Sequence, residues 1–186
     1  LFSALDVLEL YPYECTEQTL SRFLPNLELY RVLQEYNVQS PDVQSRLERT
    51  LGEGLKRLQV YQNQDGGWSW WQGGDSDPFV SAYALFGLVR ARQAGSQVSE
   101  DVIQRAINYL SATQTAPQSI SETWQLDRLA FVDFVLAQAG SGSPAQSEAL
   151  FQVRDLLSPW SQALVALTLE GYAQGNEATR TLVSDL

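Results

Sequence analysis

The chain has 186 residues, of which 22 are acidic and 12 are basic, and its formal net charge of −10 argues against nucleic acid and anionic membrane surfaces as partners. A hydrophobic content of 44% with only 18% charged residues indicates a folded, globular chain rather than a disordered one. The sequence contains no histidine, which excludes Cys-His and Ser-His catalysis and the usual zinc sites. Its one cysteine excludes an internal disulfide. Neither a metal nor a cofactor is expected.

The first predicted element is a helix that begins near the only cysteine. Pro12 cannot lie inside a helix, and apolar side chains recur at helical spacing after it. These apolar positions are Leu20, Phe23, Leu24, Leu27 and Tyr30. The pattern predicts a helix from about Cys15 to Tyr36, so Cys15 and Gln18 are neighbours on its first turn.

This spacing permits a specific reaction between the two side chains. The unpaired N–H groups and the dipole of a helix N-terminus favour the thiolate form of Cys15. Attack of the sulfur on the Gln18 carboxamide carbon would expel ammonia and leave an internal thioester, which is a stored acylating group. The alternative is that Cys15 is an inert, small apolar residue.

A second helix is predicted to open at Pro41 and to run to Tyr61, antiparallel to the first. Its two glycines, Gly52 and Gly54, predict close packing against a neighbouring helix. The stretch that follows, between Tyr61 and Pro78, contains four glycines and three tryptophans. Because glycine permits positive φ and large rings need a surface to pack on, we expect an ordered loop folded over the ends of the helices.

Six further helical segments are predicted after this loop, separated by Gly, Pro and Ser turn signals. They cover residues 78–94, 99–114, 121–139, 144–157, 159–174 and 176–186, with Ser99 and Ser121 as N-caps. No convincing strand is found, so the fold class is all-α with about eight helices. A spacing of about forty residues between helix pairs is typical of a helical repeat or a toroid. About four pairs would make a partial alpha/alpha toroid with an open apolar edge.

Two stretches resemble a known family. Residues 11–18, Tyr-Pro-Tyr-Glu-Cys-Thr-Glu-Gln, resemble the thioester motif of the alpha-2-macroglobulin and complement family. Vertebrate members have glycine where this chain has Thr16, so the motif is more similar to that of the bacterial macroglobulins. The Gln-x-x-Asp-Gly-Gly-Trp motif that begins at Gln62 resembles a loop found in alpha/alpha toroids, which include macroglobulin thioester domains and terpene cyclases. The resemblance is densest from Tyr11 to Arg92.

The resemblance implies that residues 1–186 are a single, truncated thioester domain of a larger multidomain protein. That protein is expected to be a protease trap rather than an enzyme, because a thioester reacts once, and to be periplasmic or on the cell surface. Its implied partners are target proteases, bound covalently, and other domains of the same protein. Since no histidine is present to accept the acyl group, direct attack by amines is expected.

The same resemblance assigns roles to individual residues. Cys15 and Gln18 are implied to form the thioester, and Glu17 to position the motif. Tyr11, Tyr13 and Trp68 are candidates to shield the thioester, which survives only where water is excluded. For the tryptophans, the alternative is that their rings cap the core.

Two other classes of function stay open from the sequence alone. A helical binding module would show the same helices with an inert Cys15. A terpene-cyclase-like enzyme would need an acid such as Asp75 or Asp77, although aspartates in a glycine-rich loop before Pro78 fit a turn and an N-cap better. No apolar run is long enough to span a membrane, so no membrane contact is expected from this segment.

Overall fold

The computed structural model describes residues 15–185, and all the regular structure in that range is helical. The eight α-helices are α1 Thr16–Glu35, α2 Pro41–Tyr61, α3 Pro78–Gln93, α4 Glu100–Ala112, α5 Thr123–Gln138, α6 Pro144–Gln152, α7 Pro159–Tyr172 and α8 Glu177–Asp185. Two single-turn 3-10 helices cover Pro117–Ser119 and Arg154–Leu156. The predicted all-α class is therefore confirmed, whereas the partial alpha/alpha toroid stays a prediction.

Two local predictions in the later helices were wrong. The sixth predicted helix ends five residues early, because Val153 leaves the α-helical region (φ −109°, ψ 18°) and a separate 3-10 turn follows. Val153 is β-branched, which limits its side chain inside a helix, and it packs against the core instead. Ser121 is not the N-cap of α5, because that position is taken by Glu122, which makes no side-chain capping bond.

The helices group into two units, with the boundary between Ala106 and Ile107, inside α4. In the first unit, α1, α2 and α3 enclose a core that includes Phe23, Leu27, Leu51 and Ala91. In the second unit, α5 to α8 enclose a core that includes Leu126, Leu150, Val165 and Leu182. Between residues 15 and 185, no helix is both long and apolar enough to span a membrane.

One of the two glycines of α2 explains how closely α2 packs on α1. A Cβ added to Gly54 would lie 2.7 Å from the ring of Phe23, so only glycine lets the two helices approach this closely. Gly52 is exposed, and nothing lies within 4 Å of a Cβ added there. The predicted close packing is thus confirmed at Gly54 and was wrong at Gly52.

Candidate functional site

Cys15 is the N-cap of α1, and only 5% of its surface is exposed. Its Sγ accepts a hydrogen bond from the Gln18 N–H at 3.4 Å, while the Cys15 N–H donates to Gln18 Oε1, also at 3.4 Å. This reciprocal pair is a capping box in which cysteine replaces the usual serine or threonine. The same two bonds that start the helix therefore hold the thiol and the carboxamide on one turn.

Both capping bonds favour attack of the sulfur on the carboxamide carbon. An N–H that donates to Sγ stabilises negative charge on the sulfur, and the N-terminal end of the helix dipole acts in the same direction. An N–H that donates to Oε1 polarises the carbonyl and stabilises the negative charge that develops on this oxygen during attack. The turn thus places a donor on each atom that would carry charge in the predicted reaction, and the reaction itself stays a prediction.

The other side chains of this turn are either buried or held along α1. Thr16 and Thr19 are 1% and 5% exposed, and Thr19 Oγ1 donates to the Cys15 carbonyl at 3.0 Å. The Glu17 carboxylate accepts a hydrogen bond from Ser21 Oγ one turn further on, and its positioning role stays a prediction. Tyr11 and Tyr13 lie outside the described residues.

Trp68 anchors the loop between α2 and α3, which spans residues 62–77. Its side chain is fully buried, and its indole Nε1–H donates to the Leu58 carbonyl at 2.7 Å. Its backbone N–H donates to Ser81 Oγ at 2.7 Å, and its carbonyl accepts from the Asp77 N–H at 2.8 Å. The loop is therefore ordered, as predicted, and the ring lies in the interior of the first unit, while its shielding role stays a prediction.

The remaining residues of the Gln-x-x-Asp-Gly-Gly-Trp motif fix the start of the loop. Gln62 Nε2 donates to the carbonyls of Gly66 and Val102, both at 2.9 Å, so one amide joins the loop to α4. Asp65 Oδ1 accepts from the backbone N–H two residues on, at 3.0 Å. Gly66 has φ +93°, and a Cβ there would lie 2.4 Å from the Arg105 carbonyl oxygen, so no other residue fits.

A backbone contact joins this loop to the first turn of α1, which carries Cys15 and Gln18. The Thr16 N–H, next to Cys15, donates to the Trp70 carbonyl at 3.0 Å. The two stretches that the sequence singles out separately therefore meet in the fold. Sequence reasoning considered only the ring of Trp70 and missed its backbone contact, because a backbone carbonyl carries no side-chain signal.

The aspartates before α3 cap the helix or lie at the surface. Asp77 Oδ1 accepts from the N–H groups of Phe79 and Val80 at 2.9 and 3.0 Å, which confirms it as the N-cap of α3. Asp75 is exposed. Neither is the buried acid that a cyclase would need, and no cluster of three or more His, Cys, Asp or Glu residues that could hold a metal occurs in residues 15–185.

A buried carboxyl group lies in the second unit. Asp133 of α5 is 2% exposed and its Oδ2 accepts a hydrogen bond from Ser147 Oγ at 2.5 Å. Burial raises the pKa of Asp133 from its ordinary value of 3.8 to about 6, and the bond from Ser147 only partly offsets this rise. Burial, together with the charge of Asp133, also raises the pKa of Tyr172.

This carboxyl predicts an unusual pH dependence of stability. Because its pKa is higher in the folded chain, Asp133 is expected to lower the free energy of unfolding as the pH rises from about 4 through about 6. The full loss corresponds to about 3 kcal/mol, and it disappears only well below pH 3.8, where the carboxyl is protonated in both states. Urea unfolding of Asp133→Asn at pH 4 and pH 7.5 checks this: the variant should be more stable than the wild type only at pH 7.5. Equal differences at both pH values would contradict it.

Comparison with known proteins gives a family match that includes this site. The family model described as the A-macroglobulin TED domain matches residues 3–131. Alpha-2-macroglobulin of Thermotoga maritima is 40% identical over 100 residues, which are 54% of this chain and 6% of that protein. Alpha-2-macroglobulin of Rickettsia conorii is 31% identical over 135 residues, which are 72% of this chain and 7% of that protein.

Solved structures show the same fold. The native conformation of Escherichia coli alpha-2-macroglobulin has a TM-score of 0.79 at 23% identity, over 97% of this chain and 12% of that one. Salmonella alpha-2-macroglobulin reacted with methylamine gives the same four values. The chain therefore spans a small part of the length of each of these four relatives.

Proposed function

The chain belongs to the alpha-2-macroglobulin family as its thioester-containing (TED) domain, and from this premise we propose that Cys15 and Gln18 form an internal thioester that captures proteases covalently. The reciprocal hydrogen bonds between Cys15 and Gln18 on the first turn of α1 are the observation that carries this proposal. In it, Glu17 positions the motif, and Tyr11, Tyr13 and Trp68 exclude water.

The proposed chemistry has two steps. The Cys15 Sγ forms a bond to Gln18 Cδ, the Cδ–Nε2 bond breaks, and the thiol proton leaves with the ammonia. An amine, such as a lysine of the attacking protease, then adds to the thioester carbonyl, forms an amide and releases the Cys15 thiol. Each molecule reacts once, so the protein is an inhibitor and not an enzyme.

Amines are the nucleophiles that this chain favours. It has no histidine to accept the acyl group and pass it to a hydroxyl. A solved relative from Salmonella is described as reacted with methylamine, which is a small amine of this class.

Other domains of the full-length protein complete the trap, and we place that protein outside the cytoplasm, in the periplasm or at the cell surface. In an oxidising compartment, a thiol held as a thioester is protected from disulfide exchange.

The experiment that tests this function is intact mass and thiol titration on the full-length protein. We expect a mass short by one ammonia and no thiol at Cys15 before treatment, and both an added methylamine and one free thiol after it. Glycerol at the same concentration should label poorly, because no histidine assists attack by a hydroxyl.

Peptide mapping of the methylamine-treated protein locates the label at Gln18, and the control is the same protein mapped without methylamine treatment. A full mass together with a freely titrating Cys15 from the start would contradict the proposal. The leading interpretation would then be a helical binding module with an inert cysteine.

A further inference from the structure

The reactive turn is supported from outside α1 by the Trp70 carbonyl. The Thr16 N–H belongs to the first turn of α1, where backbone donors have no partner within the helix. Its partner is this carbonyl, at 3.0 Å. Thr16 is 1% exposed, so water does not readily replace the contact. The position of the Trp70 peptide therefore affects the residue directly after Cys15.

The Trp70 peptide is itself held on both sides. Before it, the buried ring and backbone bonds of Trp68 fix the chain to α2 and α3. After it, Ser69 Oγ donates to the Trp71 carbonyl at 2.6 Å, and the Gly74 N–H donates to the same oxygen at 3.0 Å. Ser69 is 3% exposed, so its hydroxyl has little access to water as an alternative partner.

We propose that Ser69 is a positioning residue for thioester formation, acting through the Trp70 carbonyl on the first turn of α1. The inference rests on the proposed thioester at Cys15 and Gln18 and adds a residue that does not touch either of them. The hydrogen bond from the Ser69 hydroxyl to the Trp71 carbonyl restrains the segment between them, and within this segment the Trp70 carbonyl accepts from the Thr16 N–H. Without the Ser69 bond, this segment and the first turn of α1 have more freedom to shift.

Such a shift affects the rate of the reaction more than the stability of the fold. The attack of Sγ on Cδ is intramolecular and depends on a near-attack geometry, in which small displacements have large effects on rate. Ammonia loss is therefore a readout that a merely structural role of Ser69 would leave unchanged. The melting temperature serves as the separate readout of folding.

The test is Ser69→Ala in the full-length protein, made by cell-free synthesis and followed by intact mass. The species that lacks one ammonia is expected to appear about tenfold more slowly than in the wild type, which corresponds to about 1.4 kcal/mol in the activation barrier. The melting temperature is measured on the same samples.

The matched control is Ser76→Ala on the same loop. Ser76 Oγ donates to Asp65 Oδ1 at 2.8 Å and accepts from Asn63 Nδ2 at 2.9 Å, so this variant also loses hydrogen bonds. Since neither bond involves the segment from Ser69 to Trp71, thioester formation in Ser76→Ala should keep the wild-type rate.

A second variant keeps the test decisive if Ser69→Ala does not fold. A Cβ added to Gly74 would lie 3.3 Å from the Trp71 carbonyl oxygen and 3.4 Å from Ser69 Cβ. The methyl group added in Gly74→Ala would therefore crowd the Trp71 carbonyl and Ser69, while the Ser69 hydroxyl is kept. This variant should also slow ammonia loss.

The outcomes separate this inference from the proposed function. Slow ammonia loss in folded Ser69→Ala, or in Gly74→Ala if Ser69→Ala does not fold, supports the positioning role when Ser76→Ala keeps the wild-type rate. A wild-type rate in folded Ser69→Ala, a wild-type rate in Gly74→Ala if Ser69→Ala does not fold, or equal slowing in Ser69→Ala and Ser76→Ala would overturn it and leave the thioester in place. A wild-type protein that never loses ammonia would overturn the thioester itself, and the positioning role with it.

Discussion

Cys15→Ala is expected to abolish covalent capture of proteases by the full-length protein while the domain stays folded. Alanine has no sulfur, so neither the thioester nor the acyl transfer can occur. The lost capping bond costs about 1 kcal/mol, which is a small part of the stability of an ordinary domain. Incubation with trypsin, followed by denaturing gel electrophoresis, measures the covalent product, and circular dichroism measures folding.

The matched control is Cys15→Ser, which restores a preferred N-cap acceptor in almost the same volume. We expect Cys15→Ser to recover the stability that Cys15→Ala loses, but not to capture proteases. Capture that persists in folded Cys15→Ala would show that another group holds the protease and would remove Cys15 from the site.

The first turn of α1, with Cys15 and Gln18, was accessible from the sequence because its determinants are local. The apolar spacing and the three-residue separation of Cys15 and Gln18 lie within one short stretch. The structure adds that the pair is also the helix cap, since both of its hydrogen bonds join residues three apart. Local geometry of this kind follows from sequence spacing.

Features that depend on tertiary neighbours were not accessible in this way. Gly52 and Gly54 look alike in the sequence, yet only Gly54 faces a ring of α1. Trp68 and Trp71 occur in the same aromatic run, but the first is fully buried and the second is 59% exposed. The Trp70 carbonyl has no signature at all, because its partner, the Thr16 N–H, is distant in sequence and both groups belong to the backbone.

The contrast between the tryptophans gives the second large prediction. Trp68→Ala is expected to lower the free energy of unfolding by about 3 to 5 kcal/mol, because the ring is fully buried and alanine would leave a large cavity. The variant also removes the indole donor to the Leu58 carbonyl, which would leave a backbone acceptor short of a partner inside the first unit.

Trp71→Ala is the matched control, because it removes the same kind of side chain from an exposed position on the same loop. It should change the free energy of unfolding by no more than about 0.5 kcal/mol. Urea unfolding followed by circular dichroism measures both variants without depending on the tryptophan fluorescence that they alter. Equal stability of Trp68→Ala and Trp71→Ala would contradict the buried anchor. A large loss in Trp68→Ala alone would confirm that this buried ring, and not the exposed one, stabilises the first unit.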